Sequence, residues 1–310
     1  MSKIILSLFA GLISVSLSTT TYAEEMIIDE LNAVFGMLTI PEDIHAEKAA
    51  LGNQLFHDPR LSSNGEVSCA SCHILADGGD DGLAVSIGVS GNPTERNSPT
   101  VFNLNNHVAY FWDGRAATLV EQIDGPVHHP DEMGENWGSI IRKLVSDPMI
   151  RKTMARLYGG VSEAAIKDAI AEFERSLVTN DSPFDDYLGG DMAALDATAV
   201  AGLQRFMDYG CASCHQGPTV GGNLFQEFGV YLPIGPDGET RERLKVPSLR
   251  NVQHTAPYFN DGREPTLGGA IKTMGEAQLG RALSDEEISE IKAFLQALSS
   301  PRFAAQRDEP

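Results

Sequence analysis

The chain has 310 residues, with 43 acidic against 23 basic side chains and a formal net charge of −20. That balance excludes the basic face that nucleic acid or an anionic membrane surface requires, while leaving room for a basic protein partner. With 42% hydrophobic residues and four cysteines, the chain is long enough for two domains and is not a disulfide-rich scaffold.

At the N-terminus Lys3 precedes an apolar run, Ile4 to Leu17, and then a Ser/Thr stretch that ends Thr21-Tyr22-Ala23. This is the pattern of a signal peptide over 1–23, cut after Ala23; an uncleaved anchor needs a longer apolar span of about 20 residues. No later segment is apolar enough to cross a bilayer. The expectation is a periplasmic protein.

Next along the chain comes Cys69-Ala-Ser-Cys-His73, and the same five residues return at Cys211–His215, using all four cysteines. Cys-x-x-Cys-His is the attachment signature of c-type haem. Each thiol forms a thioether to the porphyrin, and the adjacent imidazole meets the iron. Disulfides, a thioredoxin-like pair and a zinc site are the competing readings. A thioredoxin pair would not recur with a His directly after it, and a zinc ribbon places its pairs about 15–20 residues apart. The expectation is therefore two covalently bound c-type haems, with His73 and His215 as proximal iron ligands.

Each motif is embedded in a longer repeat. Gly52-Asn-Gln-Leu-Phe56 echoes Gly202-Leu-Gln-Arg-Phe206 upstream. Downstream, Asn97-Ser-Pro-Thr-Val-Phe-Asn103 leads to Tyr110-Phe-Trp-Asp-Gly-Arg115, and Val246-Pro-Ser-Leu-Arg-Asn251 leads to Tyr258-Phe-Asn-Asp-Gly-Arg263. The predicted fold is all-α, two cytochrome c-like haem domains from an internal duplication, with long irregular loops. Helical spacing of apolar residues marks 161–178. Asp196 can cap the helix leading to Cys211, and Ser284 with Glu287 forms a capping box opening a last helix. Ile74–Asn97 and Gln216–Lys245 read as irregular. With Phe184–Asp191 as the junction, the domains are 24–187 and 188–310.

The far side of each iron decides between electron transfer and reaction. Met274 lies downstream of the second motif, as in Met-ligated cytochromes, although a core methionine is the ordinary alternative. From Ile74 to Asn106 there is no His, Met, Cys, Tyr or Lys. His107, His128, His129 and Met133 remain as candidate ligands in the first half, where an open or water-occupied iron is expected.

From about Leu51 to Leu298 the chain resembles the bacterial dihaem cytochrome c peroxidases. The resemblance is carried by Phe56-His-Asp-Pro-Arg-Leu-Ser62, both haem motifs, Ser86-Ile-Gly88, Asn97-Ser-Pro-Thr100, Phe111-Trp-Asp-Gly-Arg-Ala116 and Glu132-Met133. Ala171-x-Phe-Glu-Arg175, Val246-Pro-Ser-Leu-Arg-Asn251, Ala256-Pro-Tyr-Phe259 and Met274-Gly extend it. It implies reduction of hydrogen peroxide to water with electrons from a small cytochrome c or a copper protein, commonly by a homodimer. It makes His73 the ligand of the peroxidatic haem, and His215 with Met274 the axial pair of the electron-accepting haem. Glu132 matches the catalytic carboxylate, which taken alone would pass for a surface acid, and Trp112 the aromatic residue between the haems. Asn97, with the main-chain oxygens of Thr255 and Pro257, matches a calcium site.

One position departs. Many members carry a His directly after Ser-Ile-Gly that caps the peroxidatic iron until the other haem is reduced; here it is Val89, which cannot ligate iron. The first haem is therefore expected to be open in the fully oxidised protein. Two rival readings are a relative that oxidises a tryptophan of a partner protein, and a non-enzymatic dihaem electron carrier. Met274 stands where the first rival would have a Tyr, and the second leaves Glu132 without a role.

Overall fold

The computed structural model describes residues 25–234 and 242–303. The leader expected over 1–23 lies outside the described residues, as does 235–241 of the second irregular loop. Among the described residues no helix is long and apolar enough to cross a membrane.

The chain is helix-rich. Helix α1 covers 25–34, followed by α2 (Ala46–Phe56), the single turn α3 (Cys69–Cys72), α4 (Leu119–Gln122), α5 (Asp124–His128), α6 (Trp137–Val145), α7 (Pro148–Tyr158), α8 (Glu163–Ser176) and α9 (Pro183–Leu188). The remainder comprises α10 (Ala197–Asp208), a small antiparallel pair β1 (Phe225–Glu227) and β2 (Arg243–Lys245), α11 (Leu267–Leu279) and α12 (Asp285–Ala297).

The caps lie where the sequence places them. In α8 the Ser162 side chain accepts the Ala165 N–H, and Ala165, Ile166, Ala169, Ile170 and Phe173 are buried along one face. Asp196 accepts from the Ala199 N–H at 2.8 Å. Ser284 and Glu287 satisfy one another's backbone N–H at the start of α12, and a cap of this kind stabilises a helix by about 1 kcal/mol.

Two cores form, and each is built on one helix crossing. In the first, α2 lies on α8; in the second, α10 lies on α12. Both crossings need glycine for the same reason. A Cβ at Gly52 would sit 1.8 Å from the Ala169 carbonyl oxygen, and one at Gly202 would sit 1.8 Å from that of Glu290. The halves also share unusual backbone: Asn103 and Asn251 have φ of 64° and 63°, and Phe111 and Phe259 have φ of 66° and 72°. Isolated bridges join Tyr110 to Ala116 and Tyr258 to Glu264.

A buried polar knot ties the halves together. The Thr179 hydroxyl oxygen accepts from the side-chain amides of Asn103 at 2.8 Å and Asn251 at 2.9 Å. The second core reaches back past the expected junction, taking in Leu31 of α1, Phe35, and Phe184, Tyr187 and Leu188 of α9. The physical reason is aromatic packing: Phe184 meets Phe35 and Phe294 edge-on, each at 5.3 Å between centroids. The fully buried Arg250 reinforces it through Asp185 at 2.9 Å. Phe184–Asp191 is thus a packed helix and turn.

Candidate functional site

The two Cys-x-x-Cys-His sequences form tight turns. In α3 the His73 N–H reaches the Cys69 carbonyl at 3.0 Å, and the His215 N–H reaches that of Cys211 at 2.9 Å. One turn brings both thiols of each motif to one side, with the imidazole next in line. The four cysteines are not paired in disulfides. Burial pushes the Cys69 thiol up to about 12 and that of Cys211 up to about 11. No group of three or more His, Cys, Asp or Glu among the described residues could hold a metal ion by itself, which disfavours the zinc reading.

Both motifs line one continuous cavity of about 860 Å³. The ring Nδ1 of His73 lies 3.1 Å from the Gly79 carbonyl, so that Nδ1 carries the proton and Nε2 keeps its lone pair. Burial lowers the pKa of His73, and it lowers that of His215 to about 4 against the opposing carbonyls of Val220 and Pro247. Two neutral imidazoles, each beside a thiol pair in one large cavity, fit two haems.

Glu132 lines the same cavity. Burial raises its carboxyl above the usual carboxylate range, while His129 and Arg115 pull it down; the His129 Nδ1 is 3.8 Å from Oε1. The Glu132 carbonyl accepts the Val89 N–H at 2.9 Å. A Cβ at Gly88 would lie 2.1 Å from the Asp131 carbonyl oxygen. Ser-Ile-Gly-Val is therefore pressed against the backbone of Glu132 and positions it, with Val89 engaged by main chain.

Met274, on α11, lines the cavity together with His215. Trp112 does so too; its Nε1 donates to the Asn97 carbonyl at 2.9 Å, and its own carbonyl accepts the Lys245 N–H at 2.8 Å. Asn97 is buried, its Nδ2 donates to Leu83 O at 3.0 Å, and its N–H donates to Asn260 O at 2.9 Å. That leaves Oδ1 as the acceptor. Thr255 and Pro257 line the same cavity, and oxygen ligands of this kind suit a hard cation.

Of the other candidate ligands in the first half, His107, His129 and Met133 line the cavity. His128 is exposed, with its Nδ1 3.0 Å from the Glu135 carbonyl, and does not.

Two further residues carry no role in the sequence reading. Glu174, in the Ala171-x-Phe-Glu-Arg175 motif, is buried on the cavity wall; its Oε2 has no hydrogen-bond partner, and burial pushes its carboxyl up to about 8. Lys245 is buried on the same wall. Its signal was a lysine flanked by Leu244 and Val246 just before Pro247.

Comparison with known proteins agrees with this geometry. The model of a family described as di-haem cytochrome c peroxidase matches residues 46–193. The cytochrome c peroxidase Ccp of Escherichia coli (strain K12) is 47% identical over 277 residues, 84% of this chain; the chain spans only 59% of that protein's length. The cytochrome c551 peroxidase of Nitrosomonas europaea is 41% identical over 269 residues, 82% of this chain and 80% of that protein. Among solved structures, a MauG-like protein associated with microbial copper homeostasis superposes with a TM-score of 0.73 at 28% identity, covering 86% of this chain and 96% of that one.

Proposed function

The chain belongs to the di-haem cytochrome c peroxidase family, and on that premise we propose that it reduces hydrogen peroxide to water with electrons from a small cytochrome c or a copper protein. One observation carries the reading: a carboxyl made more basic by burial, Glu132, shares a single cavity with two Cys-x-x-Cys-His turns.

Bound haem would supply the redox chemistry, with a reactive iron at the first site and an electron-storing iron at the second. Cys69 and Cys72 would attach the first haem and Cys211 and Cys214 the second, with His73 and His215 as proximal ligands. Met274 would close the far side of the second site, so that substrate reacts only at the first. Glu132 takes the proton from the inner peroxide oxygen and returns it to the outer one, work that a single carboxyl near its own pKa can do in both directions. Trp112, on the wall of the same cavity, would shorten the electron's path between the sites. The oxygens of Asn97, Thr255 and Pro257 would hold calcium, fixing the Asn97 carbonyl that receives the indole N–H.

The repeated backbone features support two copies of one haem-binding unit, bounded near 187/188, with α1 and α9 packed on the second. We assign the protein to the periplasm and expect a homodimer. Val89 supports a first site that is open without prior reduction. The tryptophan-oxidising alternative is disfavoured by Met274, and the carrier alternative by Glu132.

The test is peroxide consumption with a reduced small c-type cytochrome, started from fully oxidised, haem-loaded protein. Turnover without a lag is expected. A lag removed by half-reduction would overturn the open first site, and inactivity in both states would overturn the peroxidase reading.

A further inference from the structure

Lys245 is a buried cation without a buried anion. It is 9% exposed, and among the described residues no carboxylate lies within ion-pair reach of it. Its ammonium donates to the His107 Nδ1 at 3.2 Å and lies 5.9 Å from the Tyr110 ring centre. An ammonium has no acceptor capacity, so His107 must accept at Nδ1 and carry its proton on Nε2. That Nε2 is buried and has no hydrogen-bond partner. The ring is also tightly lodged, since a Cβ on Gly222 would meet the His107 Cδ2 at 2.3 Å and Nε2 at 2.6 Å. The ammonium thus lies on the cavity wall with one neutral acceptor, His107 Nδ1, and no anion among the described residues, while the unpartnered His107 Nε2 is on the other edge of the ring.

Their place in the fold indicates what they face. Cys69 packs on the first core and Cys211 on the second. Lys245 and His107 lie on the seam between the halves, where the Lys245 N–H reaches the Trp112 carbonyl and the Val108 N–H reaches that of Gly222 at 2.9 Å. In a c-type haem the thioether groups and the two carboxylates occupy opposite edges of the porphyrin. Thioethers anchored toward the cores direct the carboxylate edges toward the seam.

We propose that Lys245, held in place by His107, binds a haem carboxylate at the seam beside Trp112, making Lys245 a positioning residue that sets the reduction potential of that haem. The inference rests on the two-haem reading of the chain. A buried ammonium is stable only when paired, and burial alone lowers that of Lys245 to about 8. Glu174 is not that partner: among the described residues no ion pair joins it to Lys245, and burial raises its carboxyl.

The experiment is a spectroelectrochemical titration of the haem-loaded full chain carrying Lys245→Met, with Lys245→Arg as the conservative variant. Removing the cation leaves a haem carboxylate uncompensated, which favours ferric over ferrous iron. One haem of K245M is therefore expected to shift at least about tenfold toward the oxidised form, or about 59 mV for one electron, with the other unmoved and K245R near the parent. Should K245M fail to load haem, Lys245→Gln keeps a donor without the charge and reads the same quantity. Two parental potentials in a neutral variant with both haems attached would overturn the proposal. Peroxide turnover of the parent is measured alongside. A shifted potential in K245M beside a parent unable to turn over peroxide would strike the peroxidase reading and leave this one; parental turnover with unshifted potentials in the variant would strike this one alone.

Discussion

At the scale of single residues, burial assigns opposite tasks to two glutamates on one cavity wall. Glu132 is half-buried and has His129 and Arg115 beside it, so it can lose and regain its proton. Glu132→Gln keeps the volume and removes that ability; kcat is expected to fall by about 10²–10⁴-fold with both haems still attached. Because its folded pKa is raised, the carboxylate form is lost at a higher pH than for an exposed glutamate. The acid limb of the parent's kcat/KM profile should lie above the usual carboxylate range and vanish in E132Q; a limb that persists would belong to another group. Glu174 is deeper, at about 8 against an ordinary 4.5. Below about pH 4.5 folded and unfolded chains are both protonated there, and no stability difference arises from this group. Between 4.5 and 8 the unfolded chain ionises while the folded one does not, so stability declines as pH rises, by on the order of a few kcal/mol in total. Glu174→Gln should match the parent's Tm near pH 4.5 and exceed it increasingly toward pH 8; a constant gap across that range would show that Glu174 does not titrate as burial requires. The first glutamate was legible only through its resemblance to a motif. The second was visible as a letter in a motif, but a role that depends on desolvation has no sequence signal.

At the scale of elements, most of what holds the two helix pairs together was legible, because caps and apolar spacing are local. Asp196 and Ser284 cap as the sequence suggests, and Ser162 caps the helix that apolar spacing marks. The function of the upstream glycines was not legible, since Gly52 and Gly202 are explained by carbonyls more than 80 positions away in the sequence. A methyl group cannot fit 1.8 Å from a backbone oxygen, so α2 must lift from α8 in Gly52→Ala, and α10 from α12 in Gly202→Ala. Overpacking of this kind costs about 1–3 kcal/mol or more, larger than the small helix-propensity gain of alanine over glycine. Each variant is expected to unfold several degrees below the parent by circular dichroism, with lower haem loading in the half that carries it. An unchanged Tm in both would mean that the crossings are looser than the backbone contact requires. That α9 packs on the second core was not legible for a related reason. Its Phe184 pairs with Phe35 and Phe294, one upstream and one far downstream, and no local pattern reveals such a contact.

At the scale of the whole molecule, the seam between the halves is where the chemistry must be coordinated. It is held by polar contacts rather than by a continuous apolar core. Thr179 receives Asn103 and Asn251 from opposite halves, Arg96 grips Glu242 at 2.7 Å, and Trp112 donates to the Asn97 carbonyl while its own carbonyl takes the Lys245 N–H. The sequence marked Trp112 as the one sharp difference between the duplicated turns, with Asn260 in its place in the second half. It could not mark the seam, which exists only once both halves have folded. The indole N–H is tied to the Asn97 carbonyl and the Trp112 main chain to Lys245 of the other half, on the wall of the shared cavity. If it carries electrons between the sites, Trp112→Phe should leave each haem's spectrum and potential near the parental values, because neither iron ligand is touched. The lost N–H···O bond to Asn97 should cost only about 1 kcal/mol of stability. What must change is the rate at which an electron placed on the second haem reaches the first, read by stopped-flow absorbance after peroxide is mixed with half-reduced protein. A slowed transfer with intact potentials assigns the path to the indole. A parental rate in W112F would make Trp112 a packing residue of the seam, and the electron would then cross by another route.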